Sequence, residues 1–201
     1  MKIGMKVCLA ALASVSLISV AQADDIRLGR PGYGGNGCPG GSASVTLSPD
    51  RKSLSILFDS YVAEAGGDTN KRLDRKSCNI AIPVHVPQGY SVSIFRVDYR
   101  GYAYVPHGAE ARFNAEYFFA GVRGPTTQRN FSGFVDDNYL LTNNIVGQSL
   151  VWSQCGADVN LRVNTSMVAR TNGRSDQVLA TVDSTDVRSG LIYHVQWRRC
   201  H

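Results

Sequence analysis

From Ser42 to the end of the chain, apolar and polar residues alternate in short runs, broken by turns that carry proline or glycine. A period of two puts successive side chains on opposite faces of a strand, so such a chain can bury one face per run and offers little to a helix. Residues 42–47 and 53–58 alternate on either side of Ser48-Pro49-Asp50-Arg51, which predicts a hairpin over 42–58. Residues 63–76 are polar and contain glycine, and read as a long loop. Residues 78–86 place Ile80, Ile82, Val84 and Val86 on one face; Pro83 cannot donate to a ladder and predicts a sheet edge. From Tyr90 the apolar set Tyr90, Val92, Ile94 changes parity to Phe95, Val97, Tyr99, Ala103, Val105. A strand cannot change parity without an extra residue, so a β-bulge is expected near Phe95-Arg96. Further strands are expected over 109–119, 128–135, 148–153, 158–168, 177–183 and 191–199, while 137–146 reads as a helical turn or a loop. The fold class is all-β: an antiparallel β-sandwich, jelly-roll-like, in a single domain over 42–201.

The N-terminus carries an export signal. Lys2 and Lys6 form a positive start, an apolar run extends over 7–20, and Ala21-Gln22-Ala23 is a small-residue cleavage site. Residues 1–23 are therefore expected to be a signal peptide, with Asp24 opening the mature chain. Residues 5–7 ahead of Cys8 do not form a lipoprotein signal, and no later run is long and apolar enough to span a membrane as a helix.

Removing the leader removes Cys8 and leaves Cys38, Cys78, Cys155 and Cys200. An even number in an exported chain reads as disulfides, and four cysteines allow three pairings. Cys38–Cys78 with Cys155–Cys200 is the expected pairing, each closing a loop of about forty residues; the other two pairings stay open. Zinc ligation does not fit, because no cysteine lies two to four residues from another cysteine or histidine. The run 24–41 ahead of the sandwich is rich in glycine and needs such a bond to hold it. It is not a phosphate loop, since no Lys-Ser/Thr follows it.

Without Lys2 and Lys6 the net charge falls from +5 to about +3. The arginines are scattered singly, with no clustered patch for a nucleic acid. Neither cofactor nor metal is expected.

Several motifs resemble a known family. They are Gly35-Asn36-Gly37-Cys38-Pro39, Ser44-Val45-Thr46-Leu47-Ser48-Pro49-Asp50, Leu57-Phe58-Asp59, Cys78-Asn79, Val86-Pro87-Gln88-Gly89-Tyr90-Ser91, Asp98-Tyr99-Arg100-Gly101-Tyr102, Cys155-Gly156 and Trp197-Arg198 before Cys200. In residues and spacing they are similar to a family of secreted proteins of fungi and bacteria, a domain of unknown function numbered four thousand three hundred and sixty in that series. The resemblance spans nearly all of the mature chain. It implies a small exported protein with paired cysteines and carries no activity with it.

Catalytic patterns are weak. His85, His107, His194 and His201 are available to a triad, but no G-x-S-x-G elbow is present. Asp59, Glu64, Asp98, Glu110 and Glu116 are candidates for a carboxylate-dependent hydrolase, which needs two of them across a cleft. Asp136-Asp137-Asn138 and Asp68-Thr69-Asn70 carry hard oxygen ligands in the manner of a calcium loop or a plain turn. The face carrying Asp98, Arg100, Tyr102 and Tyr104 is the leading binding candidate: two tyrosines in line beside two charges suit sugar rings or a protein surface. Asn160, Arg162 and Asn164 form a second polar face. The expected function is non-enzymatic recognition of a cell-surface glycan or protein. The alternatives are an extracellular carboxylate hydrolase, or an enzyme inhibitor presenting the tethered loop 30–41.

Overall fold

A computed structural model describes residues 27–29, 31–47, 49, 53–119, 124–144, 152–182 and 191–200. The expected leader and most of the strand expected over 148–153 lie outside the described residues.

Two antiparallel sheets face each other. The first runs β1 (Arg27–Leu28), β6 (Leu73–His85), β11 (Val159–Arg170), β8 (Glu110–Phe119), β9 (Thr126–Ser132), with β2 (Gly32–Gly34) also on β6. The second runs β3 (Ala43–Leu47), β4 (Ser53–Phe58), β13 (Leu191–Arg199), β7 (Tyr90–Val105), β12 (Val178–Thr181), β5 (Val62–Ala65), with β10 (Val135–Asn144) also on β7. β7 organises this sheet. β10 takes one edge of it along residues 96–105, while β13 (along 90–99) and β12 (at Ala103 and Tyr104) share the other edge.

The change of parity in β7 has the expected cause. His194 pairs with Arg96 and Val195 with Ile94, so Phe95 has no opposite number on β13. The extra residue returns Val97, Tyr99, Ala103 and Val105 to the interior, where all four are buried. From the first sheet, Ile80, Ile82, Leu161, Val163, Met167 and Phe113 meet them. The rings of Tyr99 and Phe113 touch edge-on across the sandwich at 4.9 Å, a geometry that adds about 0.5–1.5 kcal/mol to simple burial. Tyr61 is fully buried, and its hydroxyl donates to Thr165 Oγ1 at 3.0 Å on the facing strand. Burial strongly raises its pKa and keeps it neutral.

Gly101 marks a close approach. A Cβ there would lie 2.1 Å from the Thr181 carbonyl oxygen and 2.6 Å from the Tyr139 hydroxyl, which donates to that same carbonyl at 2.6 Å. Only a residue without a side chain lets β10 and β12 close over β7 at this point.

Both disulfides form as expected, Cys38–Cys78 and Cys155–Cys200. The first fastens the glycine-rich segment along β6. Asn36 completes the attachment: its Nδ2 donates to the Arg75 carbonyl at 2.8 Å and its Oδ1 accepts the Ser77 N–H at 2.7 Å. At Gly35, φ is +145° and a Cβ would strike the Ser77 carbonyl. The second disulfide ties the end of β13 to the residues before β11.

The sheet edge expected at Pro83 is not found: β6 pairs with β11 along residues 73–84, and on its other side with β1 at Val84 and His85 and with β2 at residues 79–81. The Gly29 N–H donates to the Pro83 carbonyl at 2.7 Å, and the ladders of β1 and β2 both stop short of Pro83, so its missing N–H interrupts neither. Three further expectations are corrected. The strand expected over 128–135 is broken at Gly133 and Phe134, where β9 ends and β10 begins, with φ at Gly133 positive. Residues 137–146 do not begin a helical turn or loop, because β10 is a full strand through Asn144. The run Asp136-Asp137-Asn138 has low strand propensity, but pairing along β7 and the burial of Tyr139 and Leu141 against the core override it. The supposed loop 63–76 contains β5 and the start of β6. Its inward residues Ala63 and Ala65 are too small to mark a strand in the sequence.

Candidate functional site

Beyond the bulge, the outward residues of β7 are Arg96, Asp98, Arg100, Tyr102 and Tyr104. Across the ladder on β10 they meet Asn144, Thr142, Leu140, Asn138 and Asp136. The four residues singled out from the sequence therefore do share a face, but they are not alike. Asp98 is only 4 % exposed, and its Oδ1 accepts from Arg96 Nε at 3.1 Å and Thr142 Oγ1 at 2.8 Å. A carboxylate held in this way is structural: it joins β7 to β10 beneath the surface. Arg100 is half-buried beside Leu140, which is 57 % exposed.

The accessible chemistry gathers at the far end of β7. The Tyr102 hydroxyl donates to Asp136 Oδ1 at 2.6 Å, and this bond, ahead of slight burial and the nearby charge, raises the tyrosine pKa. β9 and β10 are joined through Gly133 and Phe134, and φ at Gly133 is +87°. The turn lifts Phe134 clear of the sandwich, 59 % exposed. Tyr104 meets its ring edge-on at 6.4 Å, and His107, in the turn after β7, lies tilted against it at 5.9 Å. Three rings and a carboxylate thus stand together, positioned by β7, its following turn and the β9–β10 turn.

Phe134, His107 and Asp136 were not legible as partners of Tyr102 and Tyr104. The one signal was an aromatic residue directly after Ser132-Gly133, outside the alternation of its neighbours. Asp136 and Asp137 are successive strand residues and point to opposite faces, so they do not converge on a cation. Among the described residues, no three His, Cys, Asp or Glu side chains gather as metal ligands.

The remaining acids are dispersed. Asp98 lies on the outer face of the second sheet. Glu110 and Glu116 lie on the outer face of the first, about 20 Å apart along β8, and Glu110 is paired with Arg170 at 3.3 Å. Glu64 accepts from Gln177 at 2.6 Å. In the segment 30–41, the candidate inhibitory loop, the described residues begin at Pro31; Gly32–Gly34 pair along β6, and the Gly41 N–H closes back onto the Tyr33 hydroxyl at 2.8 Å. A cleft of about 330 Å³ at the β1–β6–β11 margin holds His85 and Asp158, with Nδ1 to Oδ1 at 2.7 Å.

Comparison with known proteins agrees with the sequence motifs. An uncharacterized secreted protein of Arthroderma benhamiae is 37 % identical over 169 residues, covering 84 % of this chain and 69 % of that one. Among solved structures, TmCBM61 in complex with beta-1,4-galactotriose aligns over 85 % of this chain and 88 % of its own, at 10 % identity and a TM-score of 0.31. A superposition this loose carries no argument about ligand or site. The family profile described as a domain of unknown function, DUF4360, matches residues 24–200, and the chain belongs to that family.

Proposed function

We propose that this exported protein is a carbohydrate-binding module without catalytic activity, and that its binding surface is the patch formed by Tyr102, Tyr104, His107, Phe134 and Asp136. One observation carries the reading. Phe134 presents an exposed ring, braced by Tyr104 and His107, next to a hydrogen-bonded tyrosine–carboxylate pair. The C–H faces of a sugar ring pack on aromatic faces, while its hydroxyls need donors and acceptors at the rim. Tyr102 and Asp136 supply both. The bracing also lowers the ordering cost, because the rings are held before the ligand arrives. Asp98 and Arg100 support the strand beneath and do not touch the ligand.

A glycan array probed with the exported protein tests the reading, with F134A, Y102A and Y104A as variants. Binding to a defined neutral glycan, lost in F134A and weakened in the two tyrosine variants, is expected. Binding that survives F134A unchanged would sink the site. Capture of a surface protein by the same patch, with no glycan bound, would replace the ligand class.

A further inference from the structure

The outer face of the first sheet, across the sandwich from Phe134, carries a different chemistry. Ladder register places Arg75 of β6 and Arg112 of β8 on either side of Val168 of β11, about 10 Å apart. Arg162 stands on the same face of β11, six residues from Val168 and so about 20 Å along the strand. All three arginines are exposed, and among the described residues none of the three makes an ion pair. Between these two positions the face is mostly neutral. One row holds Ser77, Ser166, Asn114 and Gln128, and the next holds Asn79 and Asn164. Glu116, half-buried, and Thr126 complete that second row, and Arg170 is taken by Glu110. The face as a whole is net positive.

The geometry points to a second binding surface, for an acidic polysaccharide of carboxylated sugars lying along β11. A guanidinium fork matches a carboxylate in two parallel hydrogen bonds. Amide and hydroxyl side chains exchange donors and acceptors with sugar hydroxyls. The spacing selects the polymer. A nucleic acid carries a phosphate on every nucleotide and is served by a dense basic track; here one neutral row and one row carrying Glu116 separate the arginines. A chain whose charges are interleaved with uncharged hydroxyls meets both the arginines and the amides. With the Phe134 patch as a separate surface, the protein would join a neutral glycan to an acidic one.

The test is affinity electrophoresis of the exported protein in gels containing polygalacturonate, with heparin and a single-stranded oligonucleotide in parallel gels. Retardation by polygalacturonate is expected, weakening at least about tenfold as salt rises from about 50 to about 500 mM. The triple variant R75Q/R112Q/R162Q should bind about tenfold more weakly at low salt, with its thermal midpoint unchanged, while F134A binds as the parent does. Retardation by heparin or the oligonucleotide but not by polygalacturonate overturns the ligand class. An unaltered triple variant overturns the surface, and equal loss in F134A overturns the separation of the two surfaces.

Discussion

Tyr102 on β7 reaches diagonally across the ladder, not straight over it: its hydroxyl donates at 2.6 Å to Asp136, the residue that lies opposite Tyr104. The diagonal engages the carboxylate with Tyr102, and the Tyr104 ring meets Phe134. The same bond raises the Tyr102 pKa above 10.0, since a carboxylate acceptor favours the protonated phenol.

The alkaline titration should report that bond. A proton held more tightly in the folded state contributes stability that is fully present below the ordinary tyrosine pKa and is lost as pH rises through the folded value. Around neutral pH the bond is therefore insensitive to pH. In D136N, ultraviolet difference spectra should show one tyrosine moving down toward its ordinary value. Tyr61 and Tyr139, raised by burial, should not move. Superimposable titrations of parent and variant would show that Asp136 does not act on Tyr102.

Phe134 separates binding from folding. Its ring is 59 % exposed, with the Tyr104 and His107 rings against it, so F134A should change the unfolding free energy by no more than about 0.5 kcal/mol. Urea unfolding followed by tryptophan fluorescence measures this. A large loss of stability would make Phe134 a structural residue and remove the basis of the aromatic site.

Gly101 should tolerate no side chain. G101A drives a methyl against the Thr181 carbonyl and the Tyr139 hydroxyl, and both are held in place by their mutual hydrogen bond. The expected cost is about 2–4 kcal/mol, with the urea midpoint shifted down. A variant as stable as the parent would mean that β10 and β12 do not close over β7 as described.

Each disulfide closes a long loop, with sequence separations of 40 and 45. Removing either by paired Cys→Ser substitution should cost about 4 kcal/mol through the entropy of the unfolded chain. Only loss of Cys38–Cys78 should also open the glycine-rich segment to limited proteolysis, because that bond and Asn36 together pin it to β6. Equal protease resistance in both variants would show that Asn36 and the strand pairing hold the segment without the bond.

The sequence by itself determined features that depend on a residue and its near neighbours. Period two assigned strands, and the parity change at Phe95 located the bulge, because a strand has no other way to turn its faces over. The cysteine count required bridges. Where the local signal was weak, at Ala63 and Ala65 or at Asp136-Asp137-Asn138, strands were missed, since pairing with β12 and β7 holds them there. The site was half legible. Tyr102 and Tyr104 were visible in the alternation, but whether a neighbouring charge is buried or exposed depends on what packs over it. Only the tertiary structure placed Asp98 beneath Thr142 and Arg96, and only it brought Phe134 and His107, about thirty residues apart in the chain, to the end of one strand. Register between strands is set by burial and turn geometry across the whole sheet, and no stretch of sequence shorter than the sheet contains it.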